Sequence, residues 1–433
     1  MTNPPPASQN DSTRRSFLKT TTTAALAGTV ASQFDIARGA YAEGKEVFRV
    51  GLVGCGGRGT GAAAQALRAD KGTQLVAMAD AFDDQIDRSL TNLSKSDVKD
   101  RISVDKDRQF AGLDGYQRLI DSGVDIVLLA TPPHFRPQHL KACVDANKHV
   151  FVEKPVATDP TGIRSVMETC ELAKKKNLSI VSGLCWRYET GMQQMVEKLH
   201  SGAIGEIVTC ESVRYHGGVS KMAIRQEGWT DLEYQLRNWY YHTWLSGDFN
   251  VEQFVHEMDK LSWVIGQYPT QCTSTGGRQT RTGAEYGNVY DHFATVFEYE
   301  NGVRYYATTR HQPGCSNPFY DHVSGTKGQA NLMKYTITGE NPWRRREKRT
   351  VMHQLEHDAM YAALRKGETI NNGDYMSKST LVGIMARMSA YTGKTVTWEQ
   401  AMNSKLDLSP PSYDWSQKLP MRPVAMPGVT PLV

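Results

Sequence analysis

Val47-Phe48-Arg49-Val50-Gly51-Leu52-Val53-Gly54-Cys55-Gly56-Gly57-Arg58-Gly59 decides the fold. Val47–Val53 is apolar and β-branched, the texture of a buried strand, and Thr60–Ala69 returns to apolar residues at helical spacing. Between them stands Gly54-x-Gly56-x-x-Gly59. A strand that turns through this pattern into a helix is the context in which three glycines bind a dinucleotide. Gly54 permits the tight turn, Gly56 lets the backbone approach a pyrophosphate, and Gly59 allows the helix to pack on the strand. Gly57 and Arg58 complete the loop, and the phosphates meet the positive end of the helix.

Downstream, Asp80 ends a second strand, Gln74–Ala79, at 21 positions past Gly59. A carboxylate there accepts hydrogen bonds from an adenosine ribose diol. Residues 81–87 read Ala-Phe-Asp-Asp-Gln-Ile-Asp and carry no Lys or Arg. That surface repels a 2′-phosphate, so NAD is expected over NADP.

Further strands at Val124–Ala130, His149–Val152 and Ser179–Val181 alternate with helical stretches at Gly115–Asp121, Pro137–Ala146 and Pro160–Lys175. Alternation of this kind builds a parallel α/β sheet, because parallel strands need crossover helices. Beyond about residue 185 the texture changes. Phe293–Tyr299 and Arg304–Thr309 alternate as antiparallel strands, Lys378–Thr392 is helical, and a proline-containing tail after Ser409 reads as a surface strap. The expected organisation is a dinucleotide-binding Rossmann domain over residues 43–170 and a second α/β domain over 171–433, with a large open, mainly antiparallel sheet.

The first 42 residues differ in kind. Thr13-Arg14-Arg15-Ser16-Phe17-Leu18-Lys19 precedes a mildly apolar run, Thr20 to Val30, and Ala40-Tyr41-Ala42 offers a small-x-small cleavage site. This resembles a twin-arginine export signal, which implies the twin-arginine translocase as a transient partner and a periplasmic or extracytoplasmic destination. The run is too short and too rich in Thr to serve as a permanent membrane anchor. The charge balance of 50 basic against 46 acidic residues has no basic block, which argues against a nucleic-acid partner. The seven cysteines (55, 143, 170, 185, 210, 272 and 315) show no paired short spacings, so neither a disulfide framework nor a zinc cluster is expected. Most read as buried thiols.

Two other strand ends carry chemistry. Ala130-Thr131-Pro132-Pro133 follows the strand Val124–Ala130, its prolines stiffening a loop beside the nicotinamide. Lys148-His149-Val150-Phe151-Val152-Glu153-Lys154-Pro155 places a lysine at the carboxyl edge of a central strand, where open parallel sheets bind ligands. With the glycine loop, these segments resemble the glucose–fructose oxidoreductase/inositol dehydrogenase (Gfo/Idh/MocA) family, strongly over residues 46–190. The likeness continues through Gly247-Asp248 and Glu252-x-x-x-His256-x-x-Asp259.

The resemblance implies NAD-dependent chemistry on a sugar, polyol or derivative, and a homo-oligomer built on the large sheet. It implies that Lys154 hydrogen-bonds the reacting oxygen, that His256 moves the hydroxyl proton, and that Glu252 belongs to the catalytic set. Thr131, Pro132, Glu153 and Lys154 join the glycine loop and Asp80 around the cofactor. Arg187 and Tyr188, from Trp186-Arg187-Tyr188, are the further substrate-binding candidates. The chemistry is coherent, since alcohol oxidation needs a base and a cationic donor to share the developing alkoxide charge. Four-residue spacing predicts Glu252 and His256 on one side of one helix, with the carboxylate orienting the imidazole.

A metal held by Glu252, His256 and Asp259 lacks a second histidine, and no metal is expected. Three departures from the family pattern stand out: Glu252 for aspartate, Phe254 for a frequent glycine, and Arg136 for histidine. Arg136 is expected to add a cation at the nicotinamide edge and to favour an acidic substrate group. Two other outcomes fit the same sequence: a redox-neutral lyase, glycosidase or epimerase that oxidises its sugar only transiently, and a sugar-binding member without activity.

Overall fold

The structure, a computed structural model, describes residues 47–218, 222–416 and 418–433. The export motif and its cleavage site lie outside these residues. Six parallel strands form the first sheet: β1 (Phe48–Val53), β2 (Thr73–Asp80), β3 (Gln109–Ala111), β4 (Ile126–Leu129), β5 (His149–Val152) and β6 (Ile180–Ser182). Their order is β3-β2-β1-β4-β5-β6, with the chain reversing direction of growth between β1 and β4. The glycine loop leaves β1 at that switch point, where doubly wound sheets bind ligands.

The strands form because both faces are covered. Ile126, Val127, Leu128 and Leu129 are all fully buried, as are Val150, Phe151 and Val152, so these strands read as continuous apolar runs. Crossover helices Gly57–Ala69, Arg136–Asp145 and Pro160–Lys175 supply the cover. The last starts where sequence dictates: Asp159 accepts from the Gly162 N–H at 2.7 Å, and Pro160 occupies the first turn. The short edge strand β3 has too few residues to show a period, and the sequence pattern gave no sign of it. The sheet also continues through β6, beyond the division expected at residue 170.

The second half builds a nine-stranded sheet among the described residues, in the spatial order Trp343–Arg344, Thr336–Gly339, Gly328–Asn331, Phe319–Gly325, β7 (Ile207–His216), β10 (Arg304–His311), β9 (His292–Glu298), β8 (Gln271–Gly277) and Val396–Thr397. Its central strands are β7, β10 and β9. Most neighbours are antiparallel, as expected, but β7 and β10 run parallel. Alternation along β9 buries Phe293, Thr295 and Phe297 against the helices. Helix Gly373–Thr392 lies in this interface, almost wholly buried.

Two long-range returns fix the halves together. Helix Met352–Arg365 packs back on the glycine-loop helix: Phe48 and Tyr361 meet edge to face at 6.0 Å, and Arg365 grips Asp70 at 2.6 and 2.8 Å. The tail past Ser409 is the strap read from sequence. Its Tyr413 hydroxyl reaches His134 Nε2 at 2.6 Å, and Trp415 meets Phe82 at 5.9 Å. Six of the seven cysteines are buried free thiols, and Cys315 is exposed. Among the described residues no helix is long and apolar enough to cross a membrane.

Candidate active site

At the end of β1, Gly54 adopts φ +95°, and a Cβ there would lie 2.6 Å from the Ala130 and Thr131 backbone. At Gly59 a Cβ would stand 1.9 Å from the Gly54 carbonyl oxygen. Both glycines are therefore dictated by backbone-on-backbone packing. A Cβ at Gly56 or Gly57, by contrast, would meet nothing within 4 Å. Their missing side chains leave open space in a cleft of about 580 Å³ that the loop lines together with Asp80, Thr131 and Pro132. Asp80 accepts from the Cys55 N–H at 2.7 Å and the Phe82 N–H at 3.1 Å, which stiffens the loop from its ribose side. Burial raises its carboxyl above the ordinary value, and these backbone donors partly offset that. Open backbone at a helix N-terminus, with a carboxylate one strand away, fits a dinucleotide.

Across the cleft the aromatic-rich stretch that begins at Trp229 supplies a roof. Trp229, Arg237 and Trp239 line it from above. Arg237 stacks over the Phe82 ring at 3.9 Å and the Trp229 ring at 4.9 Å, and pairs with Asp84 at 3.1 Å and Glu233 at 3.0 Å. The Asp80 end of the cleft thus gains a cation that residues 81–87 lack. Two carboxylates neutralise it, so the preference for NAD over a 2′-phosphorylated cofactor is preserved.

Lys154 stands just past β5 and donates to Glu252 twice, to the backbone oxygen at 2.8 Å and to Oε1 at 3.2 Å. Both side chains are mostly buried, at 15% and 14% exposure. Glu252 and His256 do not share a helix, contrary to the sequence reading. Helix Phe249–Glu252 ends, Gln253-Phe254 reorients the chain, and helix Val255–Ile265 begins. Fully buried Phe254 occupies that break as core packing.

The carboxylate therefore serves Lys154, and His256 Nδ1 is buried with no hydrogen-bond partner. Burial first, then the Lys154 and Arg214 cations, holds the His256 imidazole well below its ordinary range. It is neutral at pH 7, the form that accepts a proton. Asp248 anchors this bend, accepting from the Phe249 N–H at 2.6 Å, the Tyr290 N–H at 2.9 Å and the Tyr391 hydroxyl at 2.5 Å.

Arg136 is not a cation offered to substrate. It is buried, and its guanidinium donates to the Thr131 carbonyl at 3.0 Å and the Pro155 carbonyl at 2.5 Å. It ties the loop after β4 to the loop carrying Lys154. Arg58 lines the cleft and pairs with Glu153 at 2.7 Å, so its charge is matched within the protein. Arg187 and Tyr188 do not line the dinucleotide cleft, and protein partners hold their polar ends. Arg187 binds Asp259 at 2.8 and 3.0 Å between the Trp263 and Tyr375 rings, and the Tyr188 hydroxyl donates to Asn372 at 2.8 Å. With Asp259 also accepting from Ser379 at 2.7 Å, Glu252, His256 and Asp259 do not converge on one point.

The profile described as oxidoreductase family, NAD-binding Rossmann fold (GFO_IDH_MocA), matches residues 48–182. The GFO/IDH/MocA C-terminal domain matches residues 192–331. The chain belongs to the Gfo/Idh/MocA oxidoreductase family. Its Rossmann domain is NAD-binding. It is similar to 2,7-anhydro-N-acetylneuraminate hydratase of Escherichia coli, 23% identical over 59% of this chain and 64% of that protein. It is also similar to myo-inositol 2-dehydrogenase of Thermotoga maritima, 23% identical over 53% of this chain and 58% of that one. Both alignments thus span less than two thirds of the relative's own length. Aldose-aldose oxidoreductase from Caulobacter crescentus, solved with glycerol, shares the fold with TM-score 0.63 and 16% identity, covering 81% of this chain and 99% of that one.

Proposed function

We propose that this protein transfers hydride to or from a sugar, polyol or derivative, using NAD that it retains between turnovers. The observation that carries the reading is the unpartnered His256 Nδ1 under the influence of a Lys154 ammonium that spends two of its three N–H groups on Glu252. The third N–H remains for a substrate oxygen. Glu252 fixes the ammonium, Lys154 stabilises negative charge developing on that oxygen, and neutral His256 takes up the hydroxyl proton. Bound NAD supplies the carbon centre that accepts or returns hydride. Arg136 holds the Lys154 loop in register with the cleft, and the Trp229–Arg237 roof supports retention.

The export reading belongs to the same proposal. A twin-arginine passenger folds before it crosses the membrane and meets little free NAD afterwards, which favours a cofactor carried along and recycled in place. Assembly into homo-oligomers through the large sheet is proposed with it.

A second reading is redox-neutral: the sugar is oxidised transiently, the adjacent C–H becomes acidic, a group leaves or exchanges, and the carbon is reduced again. The similarity to a hydratase favours it, since hydration involves no net oxidation. Both readings are tested by releasing and identifying the nucleotide from purified protein, then screening sugars and glycosides for its reduction. In either reading Lys154→Ala retains NAD while turnover falls by roughly 10²–10⁴-fold; undiminished turnover removes Lys154 from the mechanism. Stoichiometric oxidised sugar selects the first reading. Substrate conversion without net nicotinamide reduction selects the second.

A further inference from the structure

Behind the Arg58–Glu153 pair, the turn after β6 meets the first turns of helix Met352–Arg365. Cys185, His353 and Glu356 present a thiol, an imidazole and a carboxylate whose ligand atoms all lie within 4.8 Å of one another. The Glu356 side chain is fully buried, and neither of its oxygens has a hydrogen-bond partner. His353 Nδ1 is also buried without one, 3.5 Å from Glu356 Oε1. A carboxyl removed from water and given no donor is held protonated by burial, as Glu356 is pushed well above the ordinary value, unless it is paired or coordinates a metal that displaces the proton. The nearby cation is already committed, because Arg58 pairs with Glu153 at 2.7 Å and donates to Gln65 at 2.5 Å.

We propose that Cys185, His353 and Glu356 form a three-ligand site for a divalent transition metal, with zinc the best match. Thiolate, imidazole and carboxylate together suit zinc and exclude the all-oxygen preference of magnesium and calcium. His353 and Glu356 are three apart on one helix, a spacing that puts both donors on one face. Cys185 arrives from the other half of the chain, so the metal would pin the back-packed helix to the sheet edge that carries Lys154.

With metal–ligand bonds of about 2.0–2.3 Å, tetrahedral geometry sets donor atoms about 3.3–3.8 Å apart. The ligand atoms, all within 4.8 Å of one another, reach that spacing by side-chain rotations, and His353, 34% exposed, has the most room to move. Thiolate and carboxylate balance the two positive charges, and three protein ligands leave a fourth position for water or another oxygen.

The test uses the full-length purified protein, stripped with a chelator and titrated with Co²⁺ as the spectroscopic probe, then with Zn²⁺. The expected result is one equivalent of cobalt per chain, a thiolate-to-cobalt charge-transfer band, and displacement of both by zinc. Cys185→Ser abolishes the band, and Glu356→Gln weakens binding by about tenfold or more. His353→Ala, at a partly exposed position, serves where a core variant fails to fold, and it too weakens binding. Cys315→Ser removes the exposed thiol and leaves the band intact. Wild-type protein that takes up no cobalt, a band that survives Cys185→Ser, or a band lost in Cys315→Ser overturns the proposal.

Discussion

Replacing Arg136 by Met separates a positioning role from a substrate-binding one. In the folded protein burial lowers the Arg136 guanidinium from its ordinary value to about 10, the charges of Glu153 and Glu252 acting the other way. At about 1.4 kcal/mol per pH unit, keeping that charge buried costs about 3 kcal/mol. Its bonds to the Thr131 and Pro155 carbonyls return about 1.5–3 kcal/mol each, as hydrogen bonds from a charged donor do. The bonds exceed that cost by about 0–3 kcal/mol, so Arg136→Met lowers stability by no more than about 3 kcal/mol.

The kinetic cost is larger. Without the guanidinium the loops after β4 and β5 are no longer tied, and displacement of a reacting group by about 1 Å costs about 10²-fold in rate. Arg136→Lys resembles Met, because a single ammonium lacks the planar fork that reaches both carbonyls. The assays are thermal unfolding, hydrogen exchange over residues 131–135 and 153–157, and kcat and KM on a sugar the protein turns over. The expected pattern is a modest loss of stability, faster exchange in both loops and a fall in kcat. A raised KM with unchanged kcat and unchanged exchange would return Arg136 to the substrate and refute the reasoning.

Three further outcomes follow from the site. His256 is held below its ordinary value and stays neutral as pH falls, so the acid limb of kcat/KM is displaced downward. An ordinary imidazole at about 6.5 would leave about one-tenth of the plateau at pH 5.5; a profile already halved at pH 6.5 contradicts the assignment. Gly59→Ala drives a Cβ into the Gly54 carbonyl and empties the protein of NAD, whereas Gly61→Ala meets nothing closer than 3.6 Å and gains up to about 1 kcal/mol of helix stability. Equal NAD content in the two variants would show that the loop packing is misread. Arg237→Ala removes the roof's ion pair with Asp84 and its stacking on Phe82, and NAD is lost on dialysis about tenfold faster for about 1.4 kcal/mol of lost contact; an unchanged rate of loss places retention elsewhere.

Much of the dinucleotide half was legible because its signals are local. A strand, three glycines at fixed spacing and a following helix demand one another within a few residues, and Asp80 sits one crossover away. Lys154 was legible for the same reason, as a charged residue ending an apolar strand. The Glu252–His256 relation was not. Four-residue spacing implies a shared helix face only while the helix continues, and here it is interrupted at Gln253-Phe254, where Phe254 is buried in the core. Arg136 looked like a substrate cation because sequence gives charge without direction; two loop carbonyls, fixed only by the packed sheet, decide where it points.

By itself the sequence determined the doubly wound NAD-binding sheet, the edge at which chemistry gathers and the lysine that stands there, since each rests on periodicity and short-range sterics. Only tertiary structure decided what those groups do with their charges. It gave Glu252 to Lys154, left His256 Nδ1 unpartnered, closed the cleft with Trp229 and Arg237, and set Cys185 against His353 and Glu356. Those pairings join residues about 100 to 200 positions apart, and no local pattern encodes a contact whose geometry is fixed by how two cores pack together.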